Sequence, residues 1–143
     1  MTLRVELVVP EGRVWSGTAE LVIAKTLDGD IGVLTGHTPV LGILAEGSLV
    51  RILPDGGGDG PASGGAEVVA AVNGGFFSVA DDRVSVLARQ AQLGAEVDTR
   101  AARASLEDAL QSADVSPGEG EDTTEVRYFR ALLRAAGDSA DRA

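Results

Sequence analysis

Charged and apolar side chains alternate over Leu3-Arg-Val-Glu-Leu-Val-Val9, a period of two that predicts a half-buried strand. Pro10-Glu11-Gly12 supplies a turn, and residues 13–26 predict a second extended run. Val14, Leu21 and Ile23 are its inward candidates, and Gly17 is expected to mark a bulge or bend. Leu27-Asp28-Gly29-Asp30 turns the chain again. Short strands are then predicted at 31–34, 40–45, 48–53, 66–72, 76–80 and 84–88, with Asn73-Gly74-Gly75 and Asp81-Asp82-Arg83 as turns. Strands at such short, regular spacing indicate an all-β sandwich or barrel.

The period changes near residue 96. Asp98 is placed to cap a helix whose apolar stripe is Ala102, Leu106, Ala109, Leu110 and Ala113. Ser116-Pro117-Gly118 breaks it, and Asp122-Thr-Thr-Glu125 resembles a capping box. Val126, Phe129, Leu133 and Ala136, with Tyr128 and Leu132 alongside, form the stripe of a second helix that Gly137 is suited to cap. The fold class expected is therefore an all-β N-terminal sandwich over 1–90 followed by a C-terminal two-helix antiparallel hairpin over 91–143. The helical stripes are thin and alanine-rich, so the pair needs the sandwich or a partner to hold it, and a weakly docked pair can undock.

The stretch Gly29-Asp-Ile-Gly-Val-Leu-Thr-Gly-His-Thr-Pro-Val-Leu41 packs Gly29, Gly32, Gly36 and Pro39 between short apolar runs, which predicts a tight strand–turn–strand corner. It carries the only histidine, His37, seven residues after Asp30. Polar groups on a rigid corner suit docking better than catalysis. The glycine-rich residues 54–66 have no lysine and no following helix to make a phosphate loop, so they read as an extended hairpin loop.

Composition narrows the functions. The formal net charge is −10, with one lysine and eleven arginines among 143 residues, which opposes nucleic-acid binding through a broad basic face. There is no cysteine, so disulfides, zinc–thiolate sites and thiol catalysis are excluded. No apolar run approaches the ~20 residues of a membrane helix, so a soluble chain without direct membrane insertion is expected. One histidine, no Gly-x-Ser-x-Gly elbow and no aromatic-lined carboxylate pair leave no catalytic constellation, and Asp30 with His37 lacks a third metal ligand. No catalytic residue, metal or cofactor is expected.

The corner at 29–41 preceded by Glu20–Ala24, together with Gly47-Ser-Leu-Val-Arg-Ile52, Val72-Asn-Gly-Gly-Phe-Phe-Ser-Val79 and Val84-Ser-Val-Leu-Ala88, resembles the epsilon subunit family of bacterial F-type ATP synthases over essentially the whole chain. The resemblance implies a non-catalytic rotor subunit at the cytoplasmic face of the bacterial plasma membrane. Its implied partners are the gamma subunit, the c-subunit ring and, transiently, the alpha–beta hexamer, which the helices reach when extended and so restrain ATP hydrolysis. Asp30 and His37 are the implied c-ring contacts, on a docking corner of Gly29, Ile31, Gly32, Gly36 and Pro39. The family's nucleotide motif has two residues between Asp and Arg; Val97-Asp98-Thr99-Arg100-Ala101 has one, which turns the arginine ~100° around a helix, and no nucleotide site is expected. A stand-alone β-sandwich binding module with a helical tail is the alternative reading.

Overall fold

A computed structural model of the chain describes residues 2–54, 67–112 and 124–137. Nine strands form one continuous sheet among the described residues: β1 (Leu3–Val9), β2 (Gly12–Thr26), β3 (Gly29–Val33), β4 (Val40–Ile43), β5 (Ser48–Pro54), β6 (Val68–Val72), β7 (Gly75–Ala80), β8 (Arg83–Ala88) and β9 (Ala91–Leu93). A 3-10 turn (Gly94–Glu96) leads to helices α1 (Thr99–Ser112) and α2 (Thr124–Ala135). The expected glycine-rich loop after Pro54, the helix break and the first two residues of the expected capping box, Asp122 and Thr123, lie outside the described residues.

The spatial order is β4-β7-β8-β1-β2-β5-β6-β9, with β3 also on β2. All pairings are antiparallel except β1 with β8, where Arg4 faces Arg83 and Val8 faces Leu87. The long strand β2 folds the sheet over itself: its first part pairs with β1, its last part with β3 and β5. A bridge from Thr26 to Leu44, with Leu27 N–H donating to the Ile43 carbonyl at 3.0 Å, ties the fold's open side.

Gly17 is not the bulge expected of it. It stays in register opposite Val5, and an added Cβ would meet the Trp15 ring at 2.8 Å, so glycine is there to let that ring lie over the strand. The irregularities fall at Leu7/Val8 and between Ala19 and Leu21. The second reverses the in–out phase of β2, so Val22 and Ala24 are buried while Leu21 and Ile23, expected inward, are only half-buried. A bulge that switches phase is how one strand serves both layers of a sandwich.

Two apolar clusters share the β5–β6 layer. Val50, Ile52, Ala70 and Val72 point into the main core with Leu3, Val5, Leu7 and Phe77, while Ala71 and half-buried Leu49 point outward and are covered by the helices through Leu106, Val126, Leu132 and Leu133. Each buried leucine or valine contributes ~1.5–3 kcal/mol, so the helical layer rests on few large side chains. The Asp98 carboxylate accepts the Ala101 N–H at 3.1 Å, and Gly137 closes α2 at φ +83° with its N–H on the Arg134 carbonyl at 3.0 Å, so both expected caps are present. No helix among the described residues is long and apolar enough to cross a membrane.

Candidate functional site

The corner between β3 and β4 is anchored from beneath. The two-residue turn joining β7 to β8 holds Asp81 and Asp82 at φ 52° and 59°, a left-handed pair that suits the twist of a tight hairpin. From that position the Asp82 carboxylate accepts the Gly36 N–H at 2.7 Å, and its carbonyl accepts the Arg4 N–H at 2.8 Å. One residue thus ties the corner to the hairpin and to the first strand. His37 N–H closes the turn on the Leu34 carbonyl at 3.1 Å, and its Nδ1 lies 2.7 Å from the Thr38 carbonyl oxygen, to which the protonated nitrogen donates.

Asp30 and His37 are not brought together. Asp30 is exposed directly across from Lys25, beside the Thr26–Gly29 turn, whereas His37 follows the other end of β3. Three residue steps along the strand separate Asp30 from Val33, about 10 Å. The two polar residues therefore bracket a surface rather than form a pair. Gly29 and Gly36 take φ +120° and +82°, Ile31 packs its side chain on the main core, and Gly32 and Pro39 are exposed.

A second surface was not anticipated. Leu41, Ile43, Phe76 and Leu87 are 72%, 51%, 53% and 51% exposed, although each lies in a strand. Register aligns three of them: Ile43 faces Phe76, Phe76 faces Leu87, and Leu87 faces half-buried Val8. An apolar row therefore crosses the outward face of β4-β7-β8-β1. Its signal was present in the sequence as Phe76 and Leu87 falling at the outward parity of Ser78 and Ser85, but the row itself exists only once non-adjacent strands pair. Contiguous exposed apolar groups of this kind mark binding surfaces.

A third feature joins helices to sheet. The Glu46 carboxylate accepts the Thr124 hydroxyl at 2.7 Å and pairs with Arg89 at 2.8 Å. The Thr124 and Arg89 hydrogen bonds hold its pKa below the ordinary glutamate value. Next to it, Gly47 sits at φ +60° against the Arg127 backbone, where a Cβ would meet the carbonyl carbon at 2.5 Å. Burial in the helical layer pushes the Tyr128 phenol up. Among the described residues no group of three His, Asp or Glu is placed to hold a metal.

Residues 2–94 match the family model described as the ATP synthase delta/epsilon chain, beta-sandwich domain. The chain is similar to the ATP synthase epsilon chain of Thermobifida fusca, 48% identical over 135 residues covering 94% of this chain and 91% of that one. It is 50% identical over 93 residues to the epsilon chain of Frankia casuarinae, covering 65% of this chain and 99% of that one. In fold it resembles a chain of the Euglena gracilis mitochondrial ATP synthase (OSCP/F1/c-ring), with TM-score 0.71 at 22% identity over 94% of this chain and 81% of the other. A chain of the Tetrahymena thermophila mitochondrial ATP synthase central stalk and c-ring matches with TM-score 0.59 at 16% identity, over 94% and 96%.

Proposed function

The chain belongs to the ATP synthase epsilon-chain family, a non-catalytic subunit of that complex, and on this premise we propose that its sandwich couples rotation of the c-ring to the gamma subunit while its helices restrain ATP hydrolysis. The observation that carries the reading is the apolar row Ile43–Phe76–Leu87–Val8, with exposed Leu41 beside it, on the outward sheet face. Gamma docks there, because burying three aliphatic side chains and a phenylalanine supplies most of the affinity a small interface needs. The corner of Gly29, Ile31, Gly32, Gly36 and Pro39 meets the c-ring, with Asp30 at one end and the His37 ring at the other. Exposed rim pairs of this sort contribute only ~0.2–1 kcal/mol each and serve register more than affinity.

In this reading residues 1–90 are the gamma- and c-ring-binding domain and 91–143 the regulatory hairpin, which leaves the sandwich to reach the alpha–beta hexamer transiently. The subunit sits at the cytoplasmic face of the bacterial plasma membrane, held through the complex. The test is affinity of the full chain for purified gamma. Phe76→Ser should weaken it by ~30-fold or more, the effect of losing an interface anchor worth ≥2 kcal/mol. Asp30→Lys with His37→Ala should leave gamma binding intact and lower ATP-driven proton pumping in reconstituted membranes. Wild-type gamma affinity in the Phe76 variant would refute docking on this face, and unchanged pumping in the other variant would refute the c-ring contact.

A further inference from the structure

Below the apolar row, the same sheet face turns basic. The parallel pairing of β1 with β8 sets Arg4 directly opposite Arg83, and the pairing of β1 with β2 sets Thr18 on Arg4's other side. Neighbouring strands lie about 4.8 Å apart, so two guanidinium groups are rooted side by side and both are exposed. Like charges opposite one another across strands are destabilising. In a chain of net charge −10, carboxylates to relieve them are plentiful, yet neither arginine forms an ion pair with a described residue. Glu6, two residues along β1 from Arg4, is taken by Arg13 at 3.0 Å. The Asp82 carboxylate, preceding Arg83 in the chain, is taken by the Gly36 N–H at 2.7 Å. The three arginines, Glu6, Ser16 and Thr18 border an open cleft of about 460 Å³.

We propose that the Arg4–Arg83 pair is a receptor for carboxylates of the protein that covers the apolar row, so that the whole outward face of β7-β8-β1-β2 is one interface whose partner presents an apolar strip flanked by an acidic cluster. This rests on the docking reading above. Paired guanidinium groups accept carboxylates bidentately, and the hydroxyl residues beside them add neutral polar contacts at the rim. Repulsion that no described residue relieves becomes attraction in the complex. The pair also excludes a partner that is apolar but basic at this position.

The test compares full-length wild-type chain, the Arg4→Gln/Arg83→Gln double variant and Phe76→Ser, measuring affinity for purified gamma in about 0.02 M and about 0.3 M salt, and the melting temperature of each free chain. The double variant should bind about tenfold more weakly at low salt, chiefly through slower association, with a flattened salt dependence. Its free chain should melt at the same temperature or higher, because the repulsion is gone. Phe76→Ser should weaken binding equally at both salts. Wild-type affinity and salt dependence in the double variant would overturn the proposal and leave docking on the row intact. An earlier melt in that variant would assign the arginines to the fold and also overturn it. Failure of the wild-type chain to bind gamma at either salt would remove the docking reading and this one together.

Discussion

Replacing Gly94 by alanine should release the helices without harming the sandwich. Gly94 is buried in the 3-10 turn, and its backbone lies outside the left-handed region, so alanine is locally permitted. The added Cβ, however, would stand 2.5 Å from the carbonyl carbon of Ala135 and 3.2 Å from the nitrogen of Ala136, with the Ala135 carbonyl oxygen closer still, against an ordinary contact of 3.4 Å or more. The three nearest atoms belong to Ala135 and Ala136, at and just past the end of α2, which must retreat by about an ångström. Overpacking of this size costs ~1–3 kcal/mol, which shifts the docked-to-undocked ratio about 5- to 150-fold. Losing glycine freedom in the unfolded chain adds ~0.4–1 kcal/mol of stability, but the 3-10 turn stays ordered when only α2 leaves, so that gain goes to the sandwich and not to docking. Amide hydrogen exchange reads the two separately. Protection over 126–135 should fall by that factor while strands β1, β5 and β8 keep theirs. Equal protection in α2 of both proteins would refute the packing argument, and a uniform loss across strands and helices would refute the separation of the two layers.

Glu46→Gln removes the charge that joins Thr124 and Arg89, so α2 protection should fall and the sandwich melt should not. The sign with pH follows from the depressed pKa: the Glu46 contribution is complete above the ordinary glutamate range and is lost as pH falls through the lowered folded value, so wild-type helices should loosen in acid more steeply than those of the Gln variant. Because burial raises the pKa of Tyr128, the only tyrosine, its ultraviolet titration should shift down toward the ordinary phenol value in Gly94→Ala; identical titrations would mean the ring is not covered by the docked layer. Asp82→Ala should destabilise the sandwich by ~1–2 kcal/mol, from the lost bond to Gly36 and the left-handed backbone, and Asp82→Gly by less, since glycine keeps the backbone; denaturation followed by Trp15 fluorescence measures both, and equal losses would remove the backbone part.

The sequence made the strands and helices readable because their signals are local: alternation in 3–9 and 84–88, the Asp98 cap, the glycine at 137. It misplaced the turning point of β2, since glycine at 17 looked like the break. The break falls at Glu20, a residue with no preference for it, because the switch between layers is set by which strands pair, not by the residue. The corner at 29–41 was legible for the same local reason, and its anchor on Asp82 was not, because 46 residues separate the two. The apolar row needed the pairing of β4 with β7, and its Val8 end and the facing arginines needed the parallel pairing of β1 with β8, which no local pattern encodes.

One outward face of the folded sheet is covered by the helices and the other is left bare, and the side chains differ accordingly. Where the chain covers itself, Ala71, Ala102 and Ala131 sit among Leu106, Val126, Leu132 and Leu133, with Gly47 and Gly94 allowing backbone to approach backbone. The small residues give close fit but little area, and burial scales with area, so the helical layer is held firmly in position while its energy rests on those few large side chains. Where the chain leaves itself bare, it presents phenylalanine, leucine and isoleucine, whose larger area suits a partner that stays. Exchanging the characters tests this division: Ala131→Leu puts a larger group into a fully buried site and should undock α2, whereas Leu87→Ala removes a half-exposed one and should leave the free chain's stability nearly unchanged while weakening the gamma complex. A large loss of free-chain stability in Leu87→Ala would mean that this face serves the fold, and the contrast between a releasable inner cover and a lasting outer one would be wrong.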